Sequence, residues 1–240
     1  MLGTYVNTGV VIVGSLVGLL IKNGLKEKYK TTILQGVALC VLFIGITTTV
    51  SNLLDGGEPI LFILSMVIGG AFGEWIDIDQ RLKHLGEWLQ NRFGNGESNI
   101  AQGFVTASLL FCVGTMAILG ALDSGLRGNH NMLYAKSVLD GFTSIILSSS
   151  LGIGVIFSSV SVLIYQGAIV LFASALEPIL TEAVIREISI VGGILIFSLG
   201  LNMLEMVKIK TANLLPAILI PPVYYMAVVP LISLVTGWIG

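Results

Sequence analysis

Long uncharged apolar stretches are the feature that most limits what this chain can fold into. A helix that crosses a membrane needs about 20 mostly apolar residues, and only 11% of the 240 residues are charged, with a mean hydropathy of +0.95. A soluble domain carries about 25% charged residues. The sequence therefore predicts an all-α polytopic protein in which residues 1–240 form a single transmembrane domain.

The apolar stretches predict about eight transmembrane helices. Six are separate runs, and the apolar stretch 133–176 is long enough for two more. The separate runs are Thr4–Ile21, Ile33–Leu54, Ile60–Ile76, Ile100–Leu122, Ile188–Val207 and Leu214–Val235. No charged loop divides 133–176, so we expect a tight turn or a broken helix near Ser148 to Gly154. Four prolines, the first of them Pro216, predict that the last span is broken.

The distribution of charge predicts an orientation. Basic residues collect on the cytoplasmic side of a membrane protein, which places the lysines of 22–30, together with Lys208 and Lys210, in the cytoplasm. The acidic turn 55–59 then faces outward, and eight spans satisfy these positions together. In residues 77–93, apolar residues recur at helical spacing with charged residues between them, which predicts an amphipathic helix on the cytoplasmic surface.

Several function classes lack their sequence signals. The net charge is −2 and no basic stripe is present, so we expect no nucleic-acid partner. Neither a zinc-protease helix, nor a nucleophile elbow, nor a nucleotide-binding glycine loop occurs, which argues against an enzyme and against an ATP-driven pump. Cys40 and Cys112 lie in apolar runs and are typical of small buried hydrophobes. We therefore expect neither a bound metal nor a cofactor.

The strongest candidate for a functional site is the pair Lys136 and Asp140. These residues are four apart, so on a helix they share a face and can form an ion pair. One interpretation is that Asp140 binds a cation or a proton and that Lys136 tunes its pKa. The alternative is a structural ion pair near the outer interface, where water lowers the cost of the charges.

Further polar residues within or near the spans are candidates for an ion- or substrate-binding site. Amides and hydroxyls can coordinate a substrate, or they can hold helices together by hydrogen bonds and close packing. Glu74 can be a second ligand or an interfacial residue beside Trp75. The other candidates are Asn7, Gln35, Thr106, Ser108, Thr143, Ser144, Gln166, Asn202 and Asn213.

Short similar strings indicate a possible internal repeat. The second span contains Leu42-Phe-Ile-Gly45, the fourth Phe111-Cys-Val-Gly114 and the seventh Phe197-Ser-Leu-Gly200. Because the second and seventh spans run in opposite directions in this topology, spans 1–3 and 6–8 can form an inverted repeat, as in many secondary transporters. Chance similarity between glycine-containing apolar helices is the alternative.

Several strings resemble those of the uncharacterised bacterial membrane proteins of the YqgA/YdfK type. The most specific string runs from Thr106 to Gly114, and the similarity extends over nearly the whole chain. The others are Gly3–Asn7, Gln35–Val37, Gly73-Glu74, Lys136–Asp140, Tyr165–Gly167 and Asn213–Ala217. The resemblance implies a multi-pass protein of the bacterial inner (plasma) membrane, and it implies no substrate.

These features favour a transporter or channel for a small ion or solute, with a buried polar site around Asp140. A membrane scaffold that binds a partner protein is the alternative, and an intramembrane enzyme ranks below both. Besides the lipid bilayer and the small ion or solute, we expect a second copy of the chain as partner. Gly14 with Gly18, and Gly69 with Gly73, have the spacing of close helix contacts or a dimer interface.

Overall fold

The computed structural model describes residues 1–24, 27–81, 84, 88, 100–113 and 115–228, and all regular structure within these ranges is helical. The side chains of 22–28, 30 and 115 lie outside the description. The helices are α1 (Leu2–Gly24), α2 (Glu27–Leu54), α3 (Pro59–Ile76), α4 (Ile100–Cys112), α5 (Thr115–Leu126), α6 (Asn131–Leu151), α7 (Gly154–Leu171), α8 (Ala173–Leu176) and α9 (Glu182–Met203). The C-terminal segment, 211–228, joins a 3-10 helix (Thr211–Leu219), an α-helical turn (Ile220–Val223) and a π-helical turn (Tyr224–Val228).

Six helices in the described ranges are long and apolar enough to cross a membrane, and the bent pair α4 and α5 makes a seventh if it counts as one span. The axes of α4 and α5 differ by 58°. The six are Leu2–Ile21, Thr31–Leu54, Pro59–Ile76, Gly154–Leu171, Glu182–Met203 and Thr211–Val228. The prediction of an all-helical membrane protein is therefore confirmed.

Helix α6 is not among these apolar helices, because one of its two faces is polar. Its 21 residues reach about 31 Å at 1.5 Å per residue. The exposed face is apolar and includes Val138, Leu139, Phe142 and Ile146. The buried face includes Lys136, Asp140, Ser144 and Ser148. This arrangement is the reverse of a soluble amphipathic helix and suits a helix whose outer face meets lipid.

The polar face of α6 packs on α1 through glycines, and this is the most extensive helix contact in the described part of the chain. A Cβ atom on Gly14 would lie 2.6 Å from the carbonyl oxygen of Gly141, and one on Gly18 would lie 2.3 Å from that of Ile145. Gly14 meets Gly141 and Gly18 meets Ile145, so the residue numbers increase in the same direction along both helices and the helices run parallel. The backbones touch because no side chain separates them, as the small-residue spacing predicts.

Helices α2 and α9 form the second main contact and run antiparallel. A Cβ atom on Gly45 would lie 2.5 Å from the backbone nitrogen of Phe197, and one on Gly193 would lie 2.8 Å from the carbonyl oxygen of Gly45. The hydroxyl of Thr49 donates to the carbonyl oxygen of Ile190 at 3.2 Å. The opposite directions predicted for the second and seventh spans agree with this contact.

Helix α3 packs antiparallel on the C-terminal segment, again at glycines. A Cβ atom on Gly69 would lie 2.3 Å from the backbone of Ala217, and one on Gly73 would lie 1.9 Å from the carbonyl oxygen of Asn213. Helix α4 packs on α7, where a Cβ atom on Gly154 would lie 2.1 Å from the carbonyl oxygen of Ile100. Both contacts bring backbones together inside the bundle.

The expected seam in 133–176 is confirmed. Helix α6 ends at Leu151 and α7 begins at Gly154, and Gly152 between them has a φ of +78°, which a residue without a Cβ adopts at no steric cost. The C-terminal segment changes helix type along its length, and its 3-10 helix contains Pro216. Of the predicted surface helix 77–93, only 77–81, 84 and 88 lie within the described residues.

Candidate functional site

The predicted pair on α6 is formed, and a third side chain joins it from α1. The ammonium group of Lys136 donates to Oδ2 of Asp140 one turn away. Nδ2 of Asn7 donates to the same oxygen at 3.0 Å. Lys136 and Asp140 are each 6% exposed, and Asn7 is fully buried. The sequence predicted the pair from its spacing, whereas the contact with Asn7 follows from the close packing of α1 on α6.

The break between α4 and α5 lies beside this pair. The Lys136 ammonium nitrogen is 5.9 Å from the centroid of the Phe111 ring, a distance at which a cation is attracted to an aromatic face. Cys112, the last residue of α4, is buried, as predicted. Cys40 is exposed on α2, so it does not belong to the interior of the bundle.

Several buried polar atoms close to these helices have no hydrogen-bond partner within the described residues. They include Oδ1 of Asn7, the hydroxyl oxygen of Thr4 on α1 and that of Thr106 on α4. On α7, both polar atoms of the Gln166 amide lack a partner, and the residue is fully buried. An unpaired polar group in a medium without water costs several kcal/mol. The interior of this bundle therefore offers hydrogen-bonding atoms that the described side chains and backbone leave without a partner.

A second polar cluster lies at the end of α3. Lys210 donates to Glu74, and Nδ2 of Asn213 donates to the other carboxylate oxygen of Glu74 at 2.6 Å. Oδ1 of Asn213 accepts the backbone N–H of Asp79 at 2.7 Å. The hydrogen bond to Glu74 raises the pKa of Lys210 above its ordinary value. The cluster fastens the C-terminal segment to α3.

A cavity of about 650 Å³ opens next to this cluster, between α4, α9 and the start of the C-terminal segment. Its polar lining includes Asp79, Gln102, Asn202, Glu205, Lys208 and Lys210. Asn202 holds the turn that borders the cavity, because its amide donates to the carbonyl oxygen of Ile209 at 2.7 Å and accepts the N–H of the same residue at 2.8 Å. The cavity lies at one end of the bundle and has both polar and apolar side chains in its lining.

A third polar cluster lies at the opposite end, and sequence reasoning missed its central residue. Glu187 is fully buried on α9, and its Oε1 accepts the backbone N–H of Glu58 at 2.7 Å. The hydroxyl of Tyr225 donates to the Glu58 carboxylate at 3.2 Å. Thr181 is the residue from which the sequence could have indicated the position of Glu187. It caps the first turn of α9, so the helix begins before Glu187, whereas the predicted span began at Ile188.

The other candidate residues are divided between helix contacts and the surface. The hydroxyl of Ser108 on α4 donates to that of Ser161 on α7 at 3.0 Å, and the buried hydroxyl of Ser144 donates to the carbonyl oxygen of Gly141. Gln35 lies on the exposed side of α2. The hydroxyl of Thr143 donates to the carbonyl oxygen of Leu139 in its own helix, at a partly exposed position. The structure brings neither Gln35 nor Thr143 to Asp140.

The fold and this site together define a helical membrane protein with a buried ion pair in its core. The chain belongs to the family described as Protein of unknown function (DUF554), whose model matches residues 2–226. It is 42% identical over 223 residues to the Uncharacterized membrane protein YdfK of Bacillus subtilis (strain 168), covering 93% of this chain and 95% of YdfK. It is 29% identical over 245 residues to the Uncharacterized protein YqgA of Escherichia coli (strain K12), covering 99% of each. No solved structure matches the chain at a significant level. The family membership confirms the resemblance noted in the sequence.

Proposed function

We propose that this protein is a transporter or channel for a small ion or solute that binds around Asp140. The observation that carries the proposal is the buried set of Lys136, Asp140 and Asn7. Buried polar atoms on the helices around it have no hydrogen-bond partner among the residues that the structure describes. Ionisable residues inside membrane segments are rare and mark ion or substrate pathways.

Energetics support a functional origin for the pair. A buried ion pair gains little stability, since the cost of removing both charges from water offsets their attraction, and apolar side chains of similar volume often stabilise a core as well or better. Lys136 and Asp140 face the interior although the other side of α6 meets lipid. A helix that served packing alone would need neither charge.

The contacts also support the inverted repeat. In the proposed topology, α6 is added to the six apolar helices and the bent α4–α5 pair, which gives eight spans. In chain order they are α1, α2, α3, the α4–α5 pair, α6, α7, α9 and the C-terminal segment, so α6 is the fifth. Exchange of spans 1–3 with 6–8 aligns Gly45 with Gly200 and Leu42 with Phe197. It converts the contact between Gly45 and Phe197 into one between Gly200 and Leu42, and both contacts occur. It likewise converts the packing of α1 on α6 into the packing of α7 on α4.

The polar clusters at the two ends support a multi-pass arrangement across the bacterial inner membrane. Asp55 lies 3.9 Å from Arg186 at one end, and Glu74 pairs with Lys210 at the other, which agrees with the sides predicted for these segments. We also propose a homodimer. The Gly14 to Gly18 face contacts α6 within the chain, so a dimer interface would use other faces.

Osmotic swelling of proteoliposomes tests the proposed function, because one optical signal reports entry of many solutes. The full chain would be reconstituted and exposed in turn to sodium and potassium salts, small organic acids, amino acids and neutral solutes. The double variant Lys136→Gln/Asp140→Asn removes both charges while it preserves net charge and size. We expect swelling with at least one solute class in the wild type and its loss in the double variant.

Thr143→Val is the matched control for this experiment. Thr143 lies on α6 one turn from Asp140, but it is partly exposed and its hydroxyl donates to the backbone of its own helix, so its replacement should leave the swelling rate unchanged. Absence of swelling with every solute class, or equal swelling in the wild type and the charge-free double variant, would refute the proposed function.

A further inference from the structure

The hydrogen bonds at Asp140 have the geometry of an anion site that the protein fills with its own carboxylate. Lys136 from α6 and Asn7 from α1 donate to a single oxygen, Oδ2. Two donors from different helices, one of them cationic, thus converge on one point inside the bundle. Charge-assisted donors of this kind are how proteins hold the oxygens of small anions.

From this geometry we propose that the site binds one small monovalent anion together with one proton, an inference that rests on the proposed transport function. The proton adds to the carboxylate of Asp140 and no other bond forms or breaks. The protonated carboxyl is a weak acceptor, so Lys136 and Asn7 are free to donate to the anion in its place. The anion and the proton then move in the same direction.

Charge balance selects this substrate class. In the structure, the positive charge of Lys136 is balanced by Asp140. After protonation of Asp140, a bound monovalent anion balances the same positive charge, so the buried site is neutral in both states. A divalent anion with one proton, or a metal cation beside the intact pair, would leave a net charge in a low-dielectric interior, where an unpaired charge is very costly.

The second polar atom of Asn7 supports the protonated state. Because Nδ2 is the atom that donates to the carboxylate, the amide orientation is fixed, and Oδ1 is the buried atom that has no partner in the described part of the chain. A protonated Asp140 gains an O–H donor, and Oδ1 of Asn7 is an acceptor on the same amide. Asn7 therefore offers a hydrogen-bond partner to the ionised carboxylate and to the neutral acid.

Other ionisable groups near the pair do not replace Asp140 as the proton site. The Cys112 thiol faces the pair from α4, and Tyr165 on α7 lies close to that thiol. On α1 and α2, the ionisable side chains that the structure describes are those of Tyr5, Tyr29 and Cys40, and all three are exposed. Near the end of α5, Asp123 pairs with Arg127 one turn away. The thiol of Cys112 and the phenol of Tyr165 are weak acids that are neutral at pH 7, which leaves the carboxylate to take up the proton.

Internal pH in dye-loaded proteoliposomes tests the proposal. Inward gradients of sodium chloride, sodium nitrate or sodium lactate would be applied against gluconate, with anion uptake measured in parallel. We expect the lumen to acidify as the anion enters the wild type. Asp140→Asn fixes a neutral side chain that takes up no proton, so anion uptake should persist while acidification falls to the level of protein-free vesicles. Lys136→Gln should lose both signals, and Thr143→Val should lose neither.

Three results would overturn the inference. They are a wild-type pH response to sodium or potassium gradients but not to anions, anion uptake without acidification in the wild type, and unchanged acidification in Asp140→Asn. Each of them leaves swelling with some solute intact, so it is distinct from failure of the proposed function. Infrared difference spectra of the wild type are independent of whether the variants fold: adding nitrate at mildly acidic pH should produce the carbonyl band of a protonated carboxylic acid, and its absence would also refute the proposal.

Discussion

Replacement of Gly45 by alanine should destabilise the protein, whereas the same replacement at Gly36 on the same helix should not. A Cβ atom at Gly45 would lie 2.5 Å from the backbone nitrogen of Phe197, 2.7 Å from the carbonyl oxygen of Gly193 and 2.8 Å from the α-carbon of Phe197. All three are backbone atoms of α9 and can only move with that helix. A Cβ atom at Gly36 would meet no atom within 4 Å.

The magnitude follows from two opposing effects. Overpacking of a tight core costs about 1–3 kcal/mol, and contact with rigid backbone places Gly45→Ala near the upper end. Replacement of glycine by alanine in a helix gains roughly 1 kcal/mol. The net loss at Gly45 is therefore about 2 kcal/mol, which lowers the unfolding temperature by roughly 4–8 °C for a chain of this size. Gly36→Ala keeps only the gain, a rise of up to about 4 °C.

The difference in unfolding temperature is measured on the wild type and the two purified variants in the same detergent. Size-exclusion chromatography of samples heated to a series of temperatures reports the folded fraction. The pair of variants adds the same methyl group to the same helix, so detergent and composition effects cancel. An unfolding temperature of Gly45→Ala at or above that of the wild type would refute the reasoning, because it would mean that α2 and α9 do not touch at this position. An equal loss in both variants would refute it too.

Three further outcomes follow from the polar clusters. Asn213→Ala removes two hydrogen bonds that join the C-terminal segment to the end of α3, so it should cost about 1–3 kcal/mol of stability, measured as a lower unfolding temperature; no change would contradict the role of the amide. Glu187→Gln keeps the acceptor for the backbone N–H of Glu58 and removes a buried charge, so it should be at least as stable as the wild type, while Glu187→Ala should be less stable; the reverse order would contradict the assignment. Single cysteines in place of Asp55 and Lys208, in a background without native cysteines, should react with an impermeant maleimide from opposite sides of the membrane. Labelling of both cysteines from the same side would contradict a membrane-spanning α9.

Length and hydropathy made most helices predictable, and spacing made the ion pair predictable. The seam after Leu151 was found because helix formers are scarce there, and the pairing of Lys136 with Asp140 because residues four apart share a helix face. Whether a single polar residue lies on the lipid side or on the protein side of its helix was not predictable. In a membrane helix both the lipid side and the protein side are apolar, so periodicity does not tell that Gln35 is exposed on α2 while Gln166 is buried on α7.

Glycine positions link the fold to the site. Asn7 reaches Asp140 only because α1 lies close against α6, and that approach depends on Gly14 and Gly18, where a side chain would strike the backbone of α6. The same glycines leave no room for a side chain that would cover the buried charges, so the donors on one helix and the carboxylate on the other are held directly against each other. A sequence under selection for lipid solubility alone would fill this interface with larger apolar residues and would dispense with both charges. The polar contact on the α1–α6 interface therefore depends on the small residues, because a larger side chain at Gly14 or Gly18 would separate the helices and take the Asn7 donor away from Asp140.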